Sequence, residues 1–294
     1  MTELDNIDVR SLSTSALLVR TTFGSPSKTK KAKEKTAEVQ QKEQTTAVTV
    51  NKTPYKGTKL IDITKLQTAV RQHINDVLTL PWENNGNRLL PMGLYEEFIG
   101  YWSEQKAEYD ELLKQFKEDI PVMVMKAQNN MKALYDPNDY PDPDCEMSID
   151  NFMARFKFDH TFSPVPEAGH FIVDVGEQAI EDMKSEIVKL NRDRMELGRD
   201  SLWAKGYDIL KQWQDMPNKQ VVKETTVHTH ALDLINMIDK ANMTGDSNLK
   251  ALRHDLQEIV DSTNIDMLRD KSSRDMEKDL LAEKAEEVLS KFDF

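Results

Sequence analysis

His228 and His230 are the residues in this sequence best placed to bind a metal ion. They are separated by one residue, so on a strand both imidazoles would lie on one face, as metal ligands must. On a helix the same two side chains point apart, and no Cys or Glu at ligand spacing completes a site. The sequence around them favours a helix start, so we expect two ordinary histidines and no metal site.

The other candidates for chemistry lie in one acidic, proline-rich stretch. Asp142, Asp144 and Glu146 lack the central Gly and terminal Glu of a calcium-binding loop. Cys145 lies among these carboxylates, which disfavour the thiolate that a nucleophile needs. The patterns GxSxG, GxxxxGK[ST] and GxGxxG are absent, which argues against a serine-hydrolase elbow and a P-loop ATPase. We therefore expect no catalytic residues and no cofactor; an enzyme with an unfamiliar site is the remaining alternative.

Composition describes a polar, acidic chain. Of its 294 residues 38% are hydrophobic and 31% charged, and the net charge is −12, which opposes nucleic-acid binding by the whole surface but not by a local patch. The single cysteine excludes an internal disulfide and fits a reducing compartment. No signal peptide and no apolar run of about 20 residues is evident, so we expect a cytoplasmic protein.

Two long helical runs, 91–135 and 176–216, are the elements that would position any site. Each has one wide apolar stripe, and glycine is scarce, which favours helix. In the second run Ile180, Met183, Ile187 and Leu190 follow a coiled-coil-like rhythm. Pro121 should kink or break the first run. We predict an antiparallel hairpin in which the two stripes bury each other.

The block between these runs, 136–175, is too rich in Pro and Asp to be helical throughout. Residues 148–155 fit a short helix capped by Ser148. The segments 156–162 and 171–175 have strand patterns. We predict that these two strands form a short β-ribbon head on the hairpin.

The remaining chain predicts an N-terminal and a C-terminal region. Residues 7–23 and 46–50 read as strands, and the lysine-rich segment 27–44 between them as a mobile linker. A helix begins near Asp62, and 81–91 reads as a loop. Three helices follow at 226–241, 247–260 and 266–292, the last either solvated or ordered only on a partner. The fold class is mainly α with a small β part (α+β), with domains at 1–60, 61–217 and 218–294.

Several segments resemble a bacterial and phage protein family, a domain of unknown function. The resembling residues are 7–19 (IDVRSLSTSALLV), 78–91 (LTLPWENNGNRLLP), 156–158 (FKF), 164–166 (PVP) and 171–175 (FIVDV). Genes of that family often lie beside those for MoxR-type AAA+ ATPases and for proteins with von Willebrand A domains, like the cobaltochelatase subunits. The lysine-rich segment departs from the family, in which a shorter basic turn is expected. The resemblance spans about residues 7–190 and implies an accessory protein that works with such an ATPase.

These observations favour a non-enzymatic adaptor that binds a protein partner, such as a MoxR-type AAA+ ATPase with its A-domain protein. The candidate contact residues are polar and aromatic side chains of the 81–91 loop and of the predicted head. They are Trp82, Asn85, Arg88, Tyr140, Phe156, Phe158 and Phe162.

Two alternatives come from other classes of protein. A nucleic-acid-associated phage protein would use the lysine cluster, although Glu34 and Glu38 dilute it and no aromatic residue is interleaved. The lysines of that cluster are Lys28, Lys30, Lys31, Lys33 and Lys35. A structural or assembly protein of a virion, built on the long helices, is the second alternative.

Overall fold

Long helices, a four-stranded sheet and a two-stranded sheet make up the computed structural model of this chain. It describes residues 12–83, 86–141, 148–167, 177–219, 225–243, 245–270 and 272–292. The helices are α1 (Leu12–Ser15), α2 (Lys33–Lys42), α3 (Leu60–His73), α4 (Tyr95–Met131), α5 (Ile149–Met153), α6 (Glu177–Gln214), α7 (His230–Ala241), α8 (Ser247–Ser262), α9 (Ile265–Arg269) and α10 (Arg274–Lys291). The predicted fold class, mainly α with a small β part, is confirmed.

The two long helices have nearly the predicted bounds. Pro121 lies inside α4 without ending it, although the missing N–H removes one helical hydrogen bond. Phe116, Ile120 and Met123 are buried on the two sides of this proline. Packing of this face therefore outweighs the local preference for a break.

The described sheet has four strands in the order β4 (Leu80–Pro81), β5 (Asn87–Pro91), β1 (Ala16–Gly24) and β6 (Lys157–Pro164). β1 and β5 are antiparallel, with Leu18 opposite Leu89. The segment 81–91, which we predicted to be a loop, is instead largely the β4–β5 hairpin. Its two leucines, Leu89 and Leu90, are buried, and burial of this pair accounts for the strand. The predicted strand 171–175 lies outside the described residues.

The chain divides into two compact units. One contains Met1–Arg20, His73–Phe98 and Thr161–Phe294; the other contains Thr21–Gln72 and Ile99–His160. We call them the C-terminal unit and the central unit. The predicted domain boundaries near residues 60 and 217 do not coincide with this division.

In the C-terminal unit α6 packs against α7 and α10, and α7 packs against α8. Leu202, Leu210 and Trp213 provide the buried face of α6. The last predicted helix, 266–292, is two helices, α9 and α10. α10 buries Leu281, Ala285 and Val288. These side chains share one helical face, so α10 belongs to the core instead of being a solvated helix.

In the central unit aromatic side chains cover the stripe of α4. Trp102 and Tyr109 lie 4.7 and 4.6 Å from the ring of Phe158 in β6, and Phe116 lies 5.3 Å from Phe156. Phe152 of α5 packs on the same rings. We predicted that the apolar stripes of α4 and α6 would cover each other. In the central unit β6 and α5 pack on the stripe of α4, and in the C-terminal unit α7 and α10 pack on α6.

The lysine-rich segment 27–44 contains β2 (Lys30–Lys31) and α2, where we predicted a mobile linker. β2 pairs with β3 (Asn51–Lys52), and residues 46–50, predicted as a strand, precede it. The Thr36 side chain accepts a hydrogen bond from the Val50 N–H (3.1 Å), and Gln40 donates to the Val48 carbonyl (2.8 Å). The helix forms without an apolar stripe because Lys, Glu, Ala and Gln have high helix propensity.

Candidate functional site

Most of the aromatic residues that we predicted to contact a partner lie in the interior. Tyr140, Phe156 and Phe158 are buried in the central unit. Phe162 is half-buried in the C-terminal unit, where its ring lies 5.8 Å from Tyr95. Burial of such large apolar surfaces stabilises the fold, so these side chains do not form an exposed contact surface.

The predicted contact loop 81–91 has structural partners as well. Trp82 is 2% exposed, and the Arg194 guanidinium lies 5.1 Å above its ring. Arg88 donates to the Thr79 hydroxyl (2.7 Å) and to the Asn75 carbonyl (2.8 Å). Asn85, the third predicted residue, lies outside the described residues. Trp82 and Arg88 therefore hold the hairpin in place.

Lys205 joins Arg88 in capping one helical turn. The turn is the π-helical segment Ile74–Leu78, and the Lys205 amine donates to the Asp76 carbonyl at 2.6 Å. Burial lowers the pKa of Lys205 to about 8, with Asp76 opposing and Arg88 adding to the shift. Cations at the C-terminal end of a helix are stabilising, and both side chains bind backbone carbonyls there. This geometry is that of a cap rather than of a catalytic pair.

A groove in the central unit gathers most of the predicted lysine cluster. We call it the lysine groove; its volume is about 770 Å³. Its charged walls hold five lysines and three carboxylates, together with Tyr135 and Asn138. The charged residues are Lys30, Lys31, Lys33, Lys35, Lys52, Glu34, Asp136 and Asp139. Lys52 and Tyr135 were not in the sequence prediction, because tertiary contacts alone bring them to this groove.

The five lysines of the groove differ in their ion-pair partners. Asp139 binds two of them, Lys52 at 2.6 Å and Lys30 at 3.1 Å. Lys35 pairs with Glu38 outside the groove wall (2.6 Å). Lys31 and Lys33 are exposed, and neither has an ion-pair partner within the described part of the chain. Lys28 is exposed next to β2 and does not line the groove.

The exposed side of α6 presents a row of large apolar side chains. Met183, Leu190 and Leu197 are 36%, 41% and 49% exposed and follow one another at intervals of seven residues. Two helical turns separate successive members, so the three lie along one side of the helix. We call them the apolar row. We predicted that Met183 and Leu190 belong to the buried stripe, although the interval of seven is visible in the sequence.

An acidic row runs beside the apolar row. Glu186, Asp193 and Asp200 each follow a member of the apolar row by three residues, and all three are exposed. Residues three apart are neighbours on a helix surface. The face of α6 thus combines exposed apolar area with carboxylates along about two heptads, and the last carboxylate, Asp200, is paired with Arg199 at 2.9 Å.

Neither a metal cluster nor a membrane span is found in the described residues. Across these ranges, no three His, Cys, Asp or Glu side chains come together in a way that could hold a metal ion. In the same residues no helix combines the length and the apolar character needed to cross a membrane. Comparison with protein-family models, with curated proteins and with solved structures gives no match to this chain.

Proposed function

We propose that this chain is a non-enzymatic accessory protein that binds a helix of a protein partner along the exposed side of α6. The observation that carries this proposal is the apolar row. Isolated exposed apolar residues are common on protein surfaces, but three at heptad spacing on one helix match one of the two apolar positions of the seam that pairs helices in coiled coils. Helix recognition through such anchors is a recurring mode of protein binding.

The acidic row defines the chemistry of the partner helix. A helix with apolar residues every seven positions and Lys or Arg beside them would match the apolar row and pair with Glu186 and Asp193, while Asp200 already pairs with Arg199 at 2.9 Å. A second copy of this chain fits less well. When two α6 helices pair antiparallel through this face, their acidic rows lie against each other, and like charges at such positions are destabilising.

The sequence resemblance suggests which protein supplies this helix. A MoxR-type AAA+ ATPase, with its von Willebrand A-domain protein, is the partner that the resemblance implies. In this proposal the chain is an adaptor of that ATPase in the cytoplasm, encoded by a bacterium or a phage.

The test is quantitative co-purification of the tagged full-length chain from the cells that encode it. In the test variant each member of the apolar row is replaced by Gln. The matched control replaces three exposed apolar residues elsewhere by Gln: Met125, Met276 and Leu280. We expect wild-type and control chains to recover an AAA+ ATPase, and the test variant to lose it at least tenfold. Binding of the purified ATPase to the three chains then confirms that the contact is direct.

Three results would contradict the proposal. The first is equal recovery of the ATPase by the test variant and the wild type. The second is recovery of the chain alone. The third is concentration-dependent self-association in sedimentation that the test variant loses, because this would identify a second copy as the occupant and favour an assembly protein.

A further inference from the structure

We infer that the lysine groove of the central unit binds the phosphate backbone of a single-stranded nucleic acid, with Tyr135 stacking on a base. This inference is independent of the proposed protein contact, because the groove and α6 share no residue. It rests on the charges of the groove, on the position of Tyr135 and on the rigidity of the walls.

Positive charge exceeds negative charge in this groove by a small margin, because its five lysines face the three carboxylates of Glu34, Asp136 and Asp139. Asp139 engages Lys30 and Lys52, and Lys35 has Glu38, which leaves Lys31 and Lys33 exposed and unpaired within the described residues. The chain as a whole carries a net charge of −12, so a nucleic acid would be attracted to this place and repelled by most of the surface. Lysine ammonium groups that contact phosphates release condensed counterions, which supplies most of the affinity for such ligands.

Tyr135 supplies the aromatic surface that is missing from the lysine segment itself. It follows α4, lines the groove and is half-buried. Its ring lies almost parallel to the buried ring of Tyr140, with centroids 5.3 Å apart and planes inclined by 15°. One face of the ring thus packs on Tyr140, and the residue also lines the groove. Sites for single strands combine a basic groove with such aromatic platforms, since an unpaired base stacks on any aromatic face.

The walls of the groove are held in place before any ligand binds. Lys52 and Asp139 are each 8% exposed and form an ion pair of 2.6 Å, and Lys52 also donates to the Leu134 carbonyl at 3.4 Å. The Tyr55 hydroxyl donates to the Asp139 carbonyl at 2.5 Å. A groove of about 770 Å³ is of the size that binds small organic ligands. It is open at the surface, so a nucleic acid longer than the groove could continue beyond it.

The test is fluorescence anisotropy with the full-length chain and a labelled oligothymidine of about 15 nucleotides at about 50 mM salt. The test variant is Lys31→Gln/Lys33→Gln. The control is Lys65→Gln/Lys114→Gln, which removes two exposed lysines of the same unit that do not line the groove. We expect the test variant to bind at least tenfold more weakly than the control. Its slope of log affinity against log salt should be smaller by about 1.4, the value for two lost phosphate contacts on a single strand.

Tyr135 variants separate stacking from simple attraction of charge. Tyr135→Leu should weaken binding about tenfold, while Tyr135→Phe keeps the ring and should bind like the wild type. Circular dichroism of each variant confirms that the fold is kept.

Four outcomes would overturn the inference. One is no binding by the wild type, and another is an equal loss in the groove variant and the Lys65/Lys114 control. The third is equal affinity for a blunt-ended DNA duplex, in which every base is paired. The fourth is displacement by tripolyphosphate or polyglutamate as effective as by unlabelled oligothymidine, which would assign the groove to anions or acidic peptides in general.

Discussion

Replacing Asp139 by Asn should destabilise the central unit more than any other single change at the lysine groove. The Asp139 carboxylate lies 2.6 Å from Lys52 and 3.1 Å from Lys30. Its removal leaves the Lys52 ammonium, 8% exposed, with the Leu134 carbonyl at 3.4 Å and the partly exposed Asp136 carboxylate at 3.7 Å. Breaking a buried ion pair from one side costs about 3–5 kcal/mol. Because Asp136 remains, we expect about 3 kcal/mol.

The partners of Asp139 should rank below it. Lys52→Met leaves the carboxylate with Lys30 and should cost about 2 kcal/mol. Lys30 is more exposed than Lys52, so Lys30→Met should cost at most about 1 kcal/mol. The double variant Asp139→Asn/Lys52→Met removes both buried charges, and its cost should fall short of the sum of the two single costs by about 2 kcal/mol.

Native-state hydrogen exchange detected by mass spectrometry measures these losses of stability separately for each segment of the chain. The slowest amides in peptides covering residues 51–60 and 99–131 report the central unit, and peptides from 230–262 provide the reference. A loss of about 3 kcal/mol raises exchange by opening roughly a hundredfold. An acceleration by Asp139→Asn that is less than fivefold, or no greater than that by Lys30→Met, would show that this ion pair does not stabilise the central unit as expected.

Two further predictions concern single positions on the helices. Gly206→Ala should lower the free energy of unfolding by about 1–3 kcal/mol, because a Cβ there would lie 2.7 Å from the Leu252 Cδ2. Gly100→Ala should instead raise it by up to about 1 kcal/mol, because a Cβ at this position would have nothing within 4 Å. Lys205→Met should flatten the pH dependence of stability. Burial lowers the pKa of Lys205 to about 8, so between about pH 8 and 10.5 the unfolded chain binds more protons than the folded chain. The free energy of unfolding of the wild type therefore rises by up to about 1.4 kcal/mol per pH unit in this range.

Urea unfolding measures both. The first expectation is contradicted if the two glycine variants shift stability in the same direction by similar amounts. For the second, the quantity is the stability of wild type minus that of Lys205→Met at pH 8 and pH 10. This difference must grow with pH; a constant or falling difference shows that the lysine does not titrate in that window.

The sequence predicted best those elements whose pattern is local. The bounds of α4 and α6 followed from periodicity. The short helix α5 followed from its cap, because the Ser148 hydroxyl accepts from the Asn151 N–H at 3.2 Å. We did not predict α2 because only Thr36 of its residues is buried, so its sequence has no apolar stripe. The helix forms through the helix propensity of its residues, which hydrophobic periodicity does not reveal. The partners that cover each long stripe depend on contacts distant in sequence, which periodicity does not encode.

For the candidate sites, residue types could be predicted from the sequence but exposure could not. We predicted that aromatic residues near turns make surface contacts, but Trp82, Tyr140 and Phe158 are buried. The lysine cluster was recognised, but Tyr135 is about 100 positions away in the sequence and joins it only in the folded chain. On α6 the distinction between Leu190, which is exposed, and Leu210, which is buried, required the positions of α7 and α10.

The apolar row repeats every seven residues, and this repeat affects the register in which a helix could bind to it. Moving a partner helix by one interval, about 10.5 Å, places its apolar residues on the next members of the row and its basic residues on the next acids. Seven residues fall about 20° short of two full turns of an ideal helix, so the row winds slowly around α6 and the partner must follow it as a left-handed supercoil. Such a face does not specify a single register. In the proposed complex it would grade affinity by the length of helix engaged, and a partner could slide in steps of one heptad without full release.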